Sequence, residues 1–183
     1  MARNLALVVI DTQLGMFETP GVPPVPDGER LLQSIEGLIE RARGADVTVV
    51  HVQHAGGPGH PLEKGTDGWR IHPRVAPLDG ELVVEKETPD SFLNTTLREE
   101  LESRGIGRLI LAGMQTEYCV DTTCRRAFSL GYDVTLAADA HGTWDDAALS
   151  AGQIVAHHNE VMGNGFAEVV PSGEISFREP VEA

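Results

Sequence analysis

One thiol in this chain has the surroundings of a nucleophile. Cys119 follows an apolar run, Leu109 to Ala112, that ends at Gly113, and it precedes a segment with helical spacing. This order places the thiol at a strand-to-helix turn, where unpaired N–H groups and the helix dipole favour a thiolate. A thiolate there could attack a carbonyl carbon. The competing interpretation is that Cys119 is a small buried hydrophobic residue.

The second cysteine, Cys124, offers a comparison within the chain. With Val120, Ala127 and Phe128 it follows the spacing of one apolar helix face, which predicts a core residue. Cys119 lies five positions earlier, so on a regular helix it points about 140° away from that face. We therefore expect the two cysteines to have different environments. Their spacing is not Cys-x-x-Cys, which argues against a redox pair.

Two other reactive side chains follow predicted strands. Asp11 comes directly after the run from Leu5 to Ile10, and Lys86 follows Leu82 to Val84 closely. Ligands of open parallel sheets bind outside the carboxyl ends of the strands, so a carboxylate, an ammonium and a thiol can converge there. The carboxylate would take the thiol proton and return it to a leaving amine, and the ammonium would stabilise both anions. Asp11 could instead cap a helix or bind a metal, and Lys86 could be a solvated lysine.

Apolar runs and helical spacing alternate along the chain. This alternation predicts an α/β fold with a parallel sheet and helices on both faces, in a single domain of residues 1–183. Two long segments, 15–27 and 55–80, interrupt it and are candidates for function. The predicted strands are 5–10, 47–52, 82–84, 109–112, 133–138 and 166–170, and the predicted helices are 31–42, one from near Asn94 or Thr95, 120–130 and 145–161.

Composition limits the class of partner. The formal charge is −14, from 28 acidic and 14 basic residues, which argues against nucleic acid, because phosphate contacts need clustered Lys and Arg. It is compatible with a cationic substrate, although a solvated acidic surface is the simpler explanation. No apolar run is long enough to cross a membrane. Two closely spaced cysteines and an opening too short for a signal peptide lead us to expect a cytoplasmic location.

Three motifs surround these residues. They are Ile10-Asp11-Thr12-Gln13, Glu85-Lys86 followed by Ser91-Phe92, and Gly113-Met114-Gln115-Thr116-Glu117-Tyr118-Cys119-Val120. These motifs resemble those of the isochorismatase-like cysteine hydrolases. The resemblance implies a three-layer α/β/α fold around a six-stranded parallel sheet, and a triad of Asp11, Lys86 and Cys119. It also implies a cis peptide between Met114 and Gln115, and an oxyanion hole formed by the backbone amides of Gln115 and Cys119.

The resemblance also implies an activity. Members such as N-carbamoylsarcosine amidohydrolase and streptothricin hydrolase cleave C–N bonds of small amides, ureides or lactams, here expected to proceed through a thioester on Cys119. True isochorismatases lack this cysteine, which argues for an amide substrate. A nicotinamidase-type amidase and a catalytically idle binding protein on the same fold stay open as alternatives. The family further implies a homodimer or homotetramer.

Histidines raise the question of a metal. Nicotinamidases bind a metal through an Asp-x-His pair and a further His, but the corresponding stretch, His51-Val52-Gln53-His54, lacks that aspartate. We therefore expect no metal and no other cofactor, while His54, His60 and His72 stay open as ligands. The candidates for contact with a small-molecule substrate are Gln13, Phe17, His54, Trp69, Phe92 and Tyr118. Among these, Phe17, Trp69 and Phe92 could equally be core or interface residues.

Overall fold

A parallel sheet forms the centre of the molecule. The computed structural model describes residues 4–18 and 23–177. The described strands follow the order β3-β2-β1-β4-β5-β6, and every neighbouring pair is parallel. This confirms the predicted α/β class and the six-stranded parallel sheet. The strands are β1 (Asn4–Ile10), β2 (Thr48–His54), β3 (Leu82–Lys86), β4 (Ile106–Met114), β5 (Asp133–Gly142) and β6 (Glu168–Val170).

Helices cover both faces of the sheet, which gives three layers. They are α1 (Gly28–Gly44), α2 (Leu97–Ser103), α3 (Asp121–Ser129) and α4 (Ala151–Gly163). Along β1, Leu7 and Val9 belong to the core cluster that includes α1, whereas Ala6 and Val8 belong to the cluster that includes α2, α3 and α4. Alternate side chains of a strand point to opposite faces, so β1 is apolar from Leu5 to Ile10 because both of its faces are covered there.

The last helix begins later than predicted. The spacing suggested a start near Asp145, but α4 starts at Ala151, after a Ser150–Gln153 capping box. The carboxylates of Asp145 and Asp146 accept hydrogen bonds from backbone amides further along the chain, at Ala151 and at 148–149 respectively. Such side-chain bonds stabilise a turn in place of a first helical turn. This segment connects the end of β5 to α4.

The long connection between β2 and β3 is ordered and tied to the sheet. Residues Pro73–Val75 form one 3-10 turn, and Ile71 makes an isolated antiparallel bridge with Gln13. At its far end, Glu81 accepts two hydrogen bonds from Arg43 of α1, both at 2.8 Å. The other long segment, 15–27, begins with a 3-10 turn, Leu14–Met16, and its residues 19–22 lie outside the described part. None of the described helices is both long and apolar enough to span a bilayer.

Candidate active site

Asp11 follows the carboxyl end of β1 in a left-handed backbone conformation. Its φ is 47°, and its amide donates to the carbonyl oxygen of Val52 at 2.9 Å. β4 approaches this point closely because Gly113 has no side chain. A Cβ built at Gly113 would lie 2.0 Å from the carbonyl oxygen of Ile10. The two central strands therefore meet where the carboxylate emerges, and the Asp11 side chain is fully buried.

Lys86, at the carboxyl end of β3, brings an ammonium group to the same point. Its Nζ donates to Asp11 Oδ2 at 2.6 Å and to Cys119 Sγ at 3.2 Å. The carbonyl oxygen of Thr88 accepts a further hydrogen bond from it at 3.1 Å. His54 Nδ1 lies 3.5 Å from the same nitrogen. One buried ammonium therefore contacts both the carboxylate and the thiol.

Cys119 stands in a turn of π-helix, Thr116–Val120, that leads into α3. The peptide bond between Met114 and Gln115, just before this turn, is cis, as the resemblance implied. Cys119 is partly exposed and lines a cavity, whereas Cys124 is fully buried in the core. The predicted difference between the environments of the two cysteines is confirmed.

The thiol of Cys119 retains its proton in this environment. Burial, reinforced by the Asp11 carboxylate, raises the pKa of Cys119 to about 12, although the Lys86 ammonium acts in the opposite direction. The expectation that the turn would favour a thiolate is therefore wrong for the unliganded site. The lost hydration of an anion outweighs the stabilisation that one ammonium supplies. For this sulfur to act as a nucleophile, a neighbouring base would have to accept the proton.

Asp11 is placed to be that base. Burial raises the pKa of Asp11, although the Lys86 ammonium opposes this change, and a carboxylate with a raised pKa is a stronger base. Oδ2 contacts Lys86, but Oδ1 is buried and has no hydrogen-bond partner among the described residues. The Cys119 thiol is close enough to stabilise the carboxylate as a donor. Oδ1 is therefore the oxygen that can accept a proton.

A buried histidine supports the turn from behind. His141, near the end of β5, contacts Thr116 Oγ1 through Nδ1 and Asn159 Oδ1 through Nε2, both at 2.9 Å. Asn159 Nδ2 donates to the carbonyl oxygen of Ala138 at 3.0 Å, which leaves its Oδ1 as an acceptor. His141 therefore carries its proton on Nε2 and accepts the Thr116 hydroxyl proton at Nδ1. Burial lowers the pKa of His141 to about 4.

A cavity of about 340 Å³ opens beside the thiol. Asp11, Cys119 and Gln115 form its reactive wall, and His54 stands beside them. Burial, followed by the nearby Lys86 charge, lowers the pKa of His54 to about 4, so this ring is neutral near pH 7. The rest of the lining is Gly15, Met16, His60, Pro61, Leu62, Pro89, Tyr118 and Trp144.

Comparison with known proteins places the chain in a family. The model of the isochorismatase domain matches residues 5–169. The chain belongs to the isochorismatase family. In its structure Asp11 follows β1, Lys86 ends β3, and the turn that carries Cys119 follows β4.

Relatives of this isochorismatase-family chain include named hydrolases. Streptothricin hydrolase of Streptomyces noursei is 40% identical over 140 residues, which cover 76% of this chain and 50% of that protein. Ureidoacrylate amidohydrolase of Variovorax paradoxus is 28% identical, over 84% of this chain and 74% of that protein. A crystal structure of an isochorismatase from Pseudomonas putida has a TM-score of 0.89 and 32% identity, over 94% of this chain and 90% of that one. The chain spans about half the length of the streptothricin hydrolases it matches.

Two of the predicted substrate-binding residues line the cavity of this isochorismatase domain, namely His54 and Tyr118. Gln13 does not, because its side chain is fully buried and bonds both to the backbone of His54 and to the carbonyl oxygen of Trp69. It anchors the long loop to the end of β1. Sequence reasoning identified a polar residue at the right strand end but not the direction of its bonds.

The other three predicted residues also lie outside the cavity lining. Phe92 is buried in the core, stacked on Tyr132 with ring centroids 5.7 Å apart. Phe17 packs edge-on against His72 at 5.3 Å. Trp69 supplies a carbonyl oxygen to Gln13 and Gln53, while its ring faces the Lys64 ammonium. Phe92 and Phe17 therefore make packing contacts in this structure, and contact with a substrate stays a prediction for them.

Trp144 is the aromatic residue that sequence reasoning missed. It follows the end of β5, and its Nε1 donates to the carbonyl oxygen of Pro23 at 2.8 Å. The strand-end rule that singled out Asp11 and Lys86 applies equally to β5. That strand was predicted to end four residues earlier than it does, at 138 rather than at Gly142, so Trp144 was not recognised as a residue close to a strand end.

The histidines in and near the β2–β3 connection contact protein groups. His51 Nε2 lies 3.2 Å from Glu81 Oε2, and His72 Nδ1 accepts from the amide of Arg74. His60 Nδ1 accepts from the amide of Leu62 at 3.0 Å, with its ring 5.3 Å from that of His54. Within residues 4–18 and 23–177, no group of three or more His, Cys, Asp or Glu side chains is arranged to hold a metal ion.

Proposed function

We propose that this protein is a cysteine hydrolase that cleaves the C–N bond of a small linear or cyclic amide through a thioester intermediate. The observation that carries the proposal is the pair of contacts from Lys86 Nζ, one to Asp11 at 2.6 Å and one to Cys119 at 3.2 Å, beside an open cavity. A nucleophile, a base and an ammonium in mutual contact are the parts that acyl transfer needs.

In the first half-reaction the Cys119 sulfur attacks the amide carbonyl carbon. Asp11 Oδ1 takes the thiol proton as the C–S bond forms. The resulting oxyanion is stabilised by the backbone amides of Gln115 and Cys119, two residues that line the cavity. When the C–N bond breaks, Asp11 returns the proton to the leaving nitrogen. The products of this half-reaction are a thioester on Cys119 and a free amine or ammonia.

Water completes the cycle. Asp11 accepts a proton from the attacking water, the C–O bond forms, and the C–S bond breaks as the sulfur regains a proton from Asp11. The net reaction consumes one amide and one water and gives a carboxylic acid and an amine. Lys86 stays protonated throughout and stabilises whichever of Asp11 and Cys119 carries the negative charge.

The volume of the cavity and the names of two relatives support a substrate amide of low molecular mass. A cavity of about 340 Å³ is at the small end of the range for ligand sites in proteins. The two relatives described above are named for hydrolysis of streptothricin and of ureidoacrylate. The absence of a cofactor and the cytoplasmic location expected from the sequence remain predictions.

Replacement of the nucleophile tests the proposal. Cys119→Ala should lower kcat/KM at least about 10³-fold in a screen of small amides, read by ammonia release, because the covalent step is lost. The matched control is Cys124→Ala, which removes a thiol from the core of the same segment and should retain turnover. Intact mass spectrometry of wild type, quenched during turnover, should show the acyl adduct on Cys119. Equal activity of Cys119→Ala and wild type would favour the idle-fold alternative.

A further inference from the structure

The cavity wall holds very little net charge, in contrast to the chain as a whole. Asp11 and Lys86 supply opposite charges whose atoms lie 2.6 Å apart, so each neutralises the other. His54 is neutral near pH 7, because burial and the Lys86 ammonium lower its pKa to about 4. His60 accepts a hydrogen bond at Nδ1 from the amide of Leu62, so that nitrogen carries no proton and the ring is uncharged in this arrangement.

No further charge enters from the other lining residues. Among the described residues that line the cavity, Asp11 supplies the only carboxylate, and neither Arg nor Lys occurs. A charged group on a bound molecule would therefore lose its hydration without gaining a counter-ion, which is unfavourable.

The remaining walls are apolar and aromatic. Met16, Leu62 and Pro61 form part of the lining, and Tyr118 and Trp144 add two aromatic rings. The hydrogen bond from Trp144 Nε1 to the carbonyl oxygen of Pro23 fixes the plane of the indole. A ring held in one orientation offers contact area at low entropic cost, which favours flat or compact apolar groups.

We propose that the site selects an uncharged amide carrying a compact apolar or aromatic group, and that it discriminates against cationic and anionic amides of the same size. This inference rests on the proposed function, whose reacting groups it shares. It runs against the interpretation of the −14 charge as a preference for cationic substrates. Surface charge changes the rate at which a charged molecule approaches the protein, whereas the neutral cavity wall determines its binding affinity.

Three nearly isosteric probes separate charge from shape: 4-methylbenzamide, 4-(aminomethyl)benzamide and 4-carboxybenzamide. Binding is measured by calorimetry with Cys119→Ala, and hydrolysis by ammonia release with wild type. We expect the uncharged probe to bind at least about tenfold more tightly than either charged probe, because only the charged ones lose unreplaced hydration. Equal binding, preference for a charged probe, or no measurable binding of the uncharged probe would overturn the inference.

Binding to Cys119→Ala and hydrolysis by wild type test two different claims, so either claim can be refuted without the other. Selective binding of the uncharged probe by Cys119→Ala supports the inference even if wild type releases no ammonia from it. The missing turnover would then count against the proposed function alone. Conversely, turnover that depends on Cys119 but favours the cationic probe supports the hydrolase and contradicts the charge selection.

A charge placed in the wall gives an independent check. Met16→Glu adds a carboxylate to the lining and should shift preference toward 4-(aminomethyl)benzamide by about tenfold, as expected for a newly paired charge. Met16→Gln has the same shape without the charge and should keep the preference for the uncharged probe. The same shift in both variants would show that shape, and not charge, governs selection.

Discussion

Cys119 carries its proton in the resting site, because burial and, after it, the Asp11 carboxylate oppose ionisation of the thiol. Burial and the Asp11 carboxylate raise the pKa of the thiol to about 12, while Lys86 lowers it. Asp11 thus has two opposing effects on the ionisation of Cys119. It makes the thiolate less stable before substrate arrives, and in the proposed mechanism it is the base that accepts the thiol proton during attack.

This double role predicts opposite changes in two measurable rates. In Asp11→Asn the anion that opposes ionisation is gone and Lys86 remains, so the pKa of Cys119 should fall. Iodoacetamide should then alkylate Cys119 faster at pH 7 than in wild type, read by peptide mass. Turnover should nevertheless fall by at least about 10²-fold, because no group accepts the thiol proton. Slower alkylation together with slower turnover would contradict this account.

Controls separate the electrostatic effect from unfolding. Asp11→Asn leaves a buried ammonium without its partner, which typically costs about 3–5 kcal/mol, so its fold must be verified by circular dichroism. Asp121→Asn removes a carboxylate that raises the pKa of Cys124 instead, and Cys119 should label as in wild type. In wild type, kcat/KM should fall as acid protonates Asp11, and the midpoint should lie above 3.8, because burial raises the pKa of this carboxyl.

Residue types at strand ends were predictable, but side-chain directions were not. Asp11, Lys86 and Cys119 could be brought together from the sequence because each follows an apolar run at the same edge of a parallel sheet. The ionisation state of Cys119 could not, because burial depends on the whole surroundings of the turn. Gln13 illustrates the same limit, since its buried side chain bonds to the backbone of His54, at the end of β2, and of Trp69, in the loop that follows.

The π-helical turn is the element that sets the position of the sulfur. Thr116 begins this turn, and its hydroxyl donates to His141, which is held in turn by Asn159. Since His141 is neutral and fixed in one tautomer, the connection is a directional hydrogen bond and not an ion pair. The chain of contacts links the nucleophile turn to both β5 and α4.

Removal of the Thr116 hydroxyl should therefore affect catalysis as well as stability. Thr116→Val keeps the shape of the side chain but leaves His141 Nδ1 buried and unpaired, which should lower the free energy of unfolding by about 1–3 kcal/mol. We expect kcat to fall more than KM changes, because the turn carries the sulfur and the amide of Cys119. Steady-state kinetics and chemical denaturation measure the two effects.

Thr116→Ser is the matched variant, because it keeps the hydroxyl and loses only a methyl group. It should recover most of kcat. If Thr116→Val lost stability but retained kcat, the network would be structural only. A loss of kcat in both variants to the same degree would point to packing of the methyl group instead.

The elements themselves were largely predictable, with errors at their ends. Runs rich in apolar residues identified all six strands, and these runs are most continuous in the central strands, whose two faces are both covered. Helix α4 was predicted to begin too early. Acidic residues such as Asp145 and Asp146 are common in a first helical turn, but here their carboxylates accept hydrogen bonds from later backbone amides in a loop. Nothing in local spacing reveals that choice.

At the scale of the whole molecule, a cluster of polar side chains around Glu81 joins the end of the long β2–β3 connection to helix α1. Its carboxylate accepts two hydrogen bonds from Arg43 and one from the Leu78 amide, and it contacts buried His51. Burial alone would raise the pKa of Glu81, but these donors lower it to about 2. The carboxylate therefore stabilises the fold wherever it is ionised.

The sign of the pH dependence follows from that depressed pKa. The unfolded carboxyl titrates near 4.5 and the folded one near 2, so the stabilisation is complete above the first value and is lost as pH falls toward the second. Glu81→Gln should lower the free energy of unfolding at pH 7 and flatten its decline between about pH 5 and pH 2. Urea denaturation at a series of pH values measures both. Exposed Glu99→Gln is the control, and an equal flattening there would refute the assignment.

The close approach of Gly113 to Ile10 constrains one position beside the reacting groups. Any side chain at this position would collide with the backbone of Ile10, so residue 113 cannot be larger than glycine without a shift of the two strands beside Asp11. The lining residues Met16, Leu62 and Trp144 lie instead on the connections that follow β1, β2 and β5. A lineage built on this scaffold can therefore acquire new substrates by exchanging wall residues while it inherits the same reaction centre.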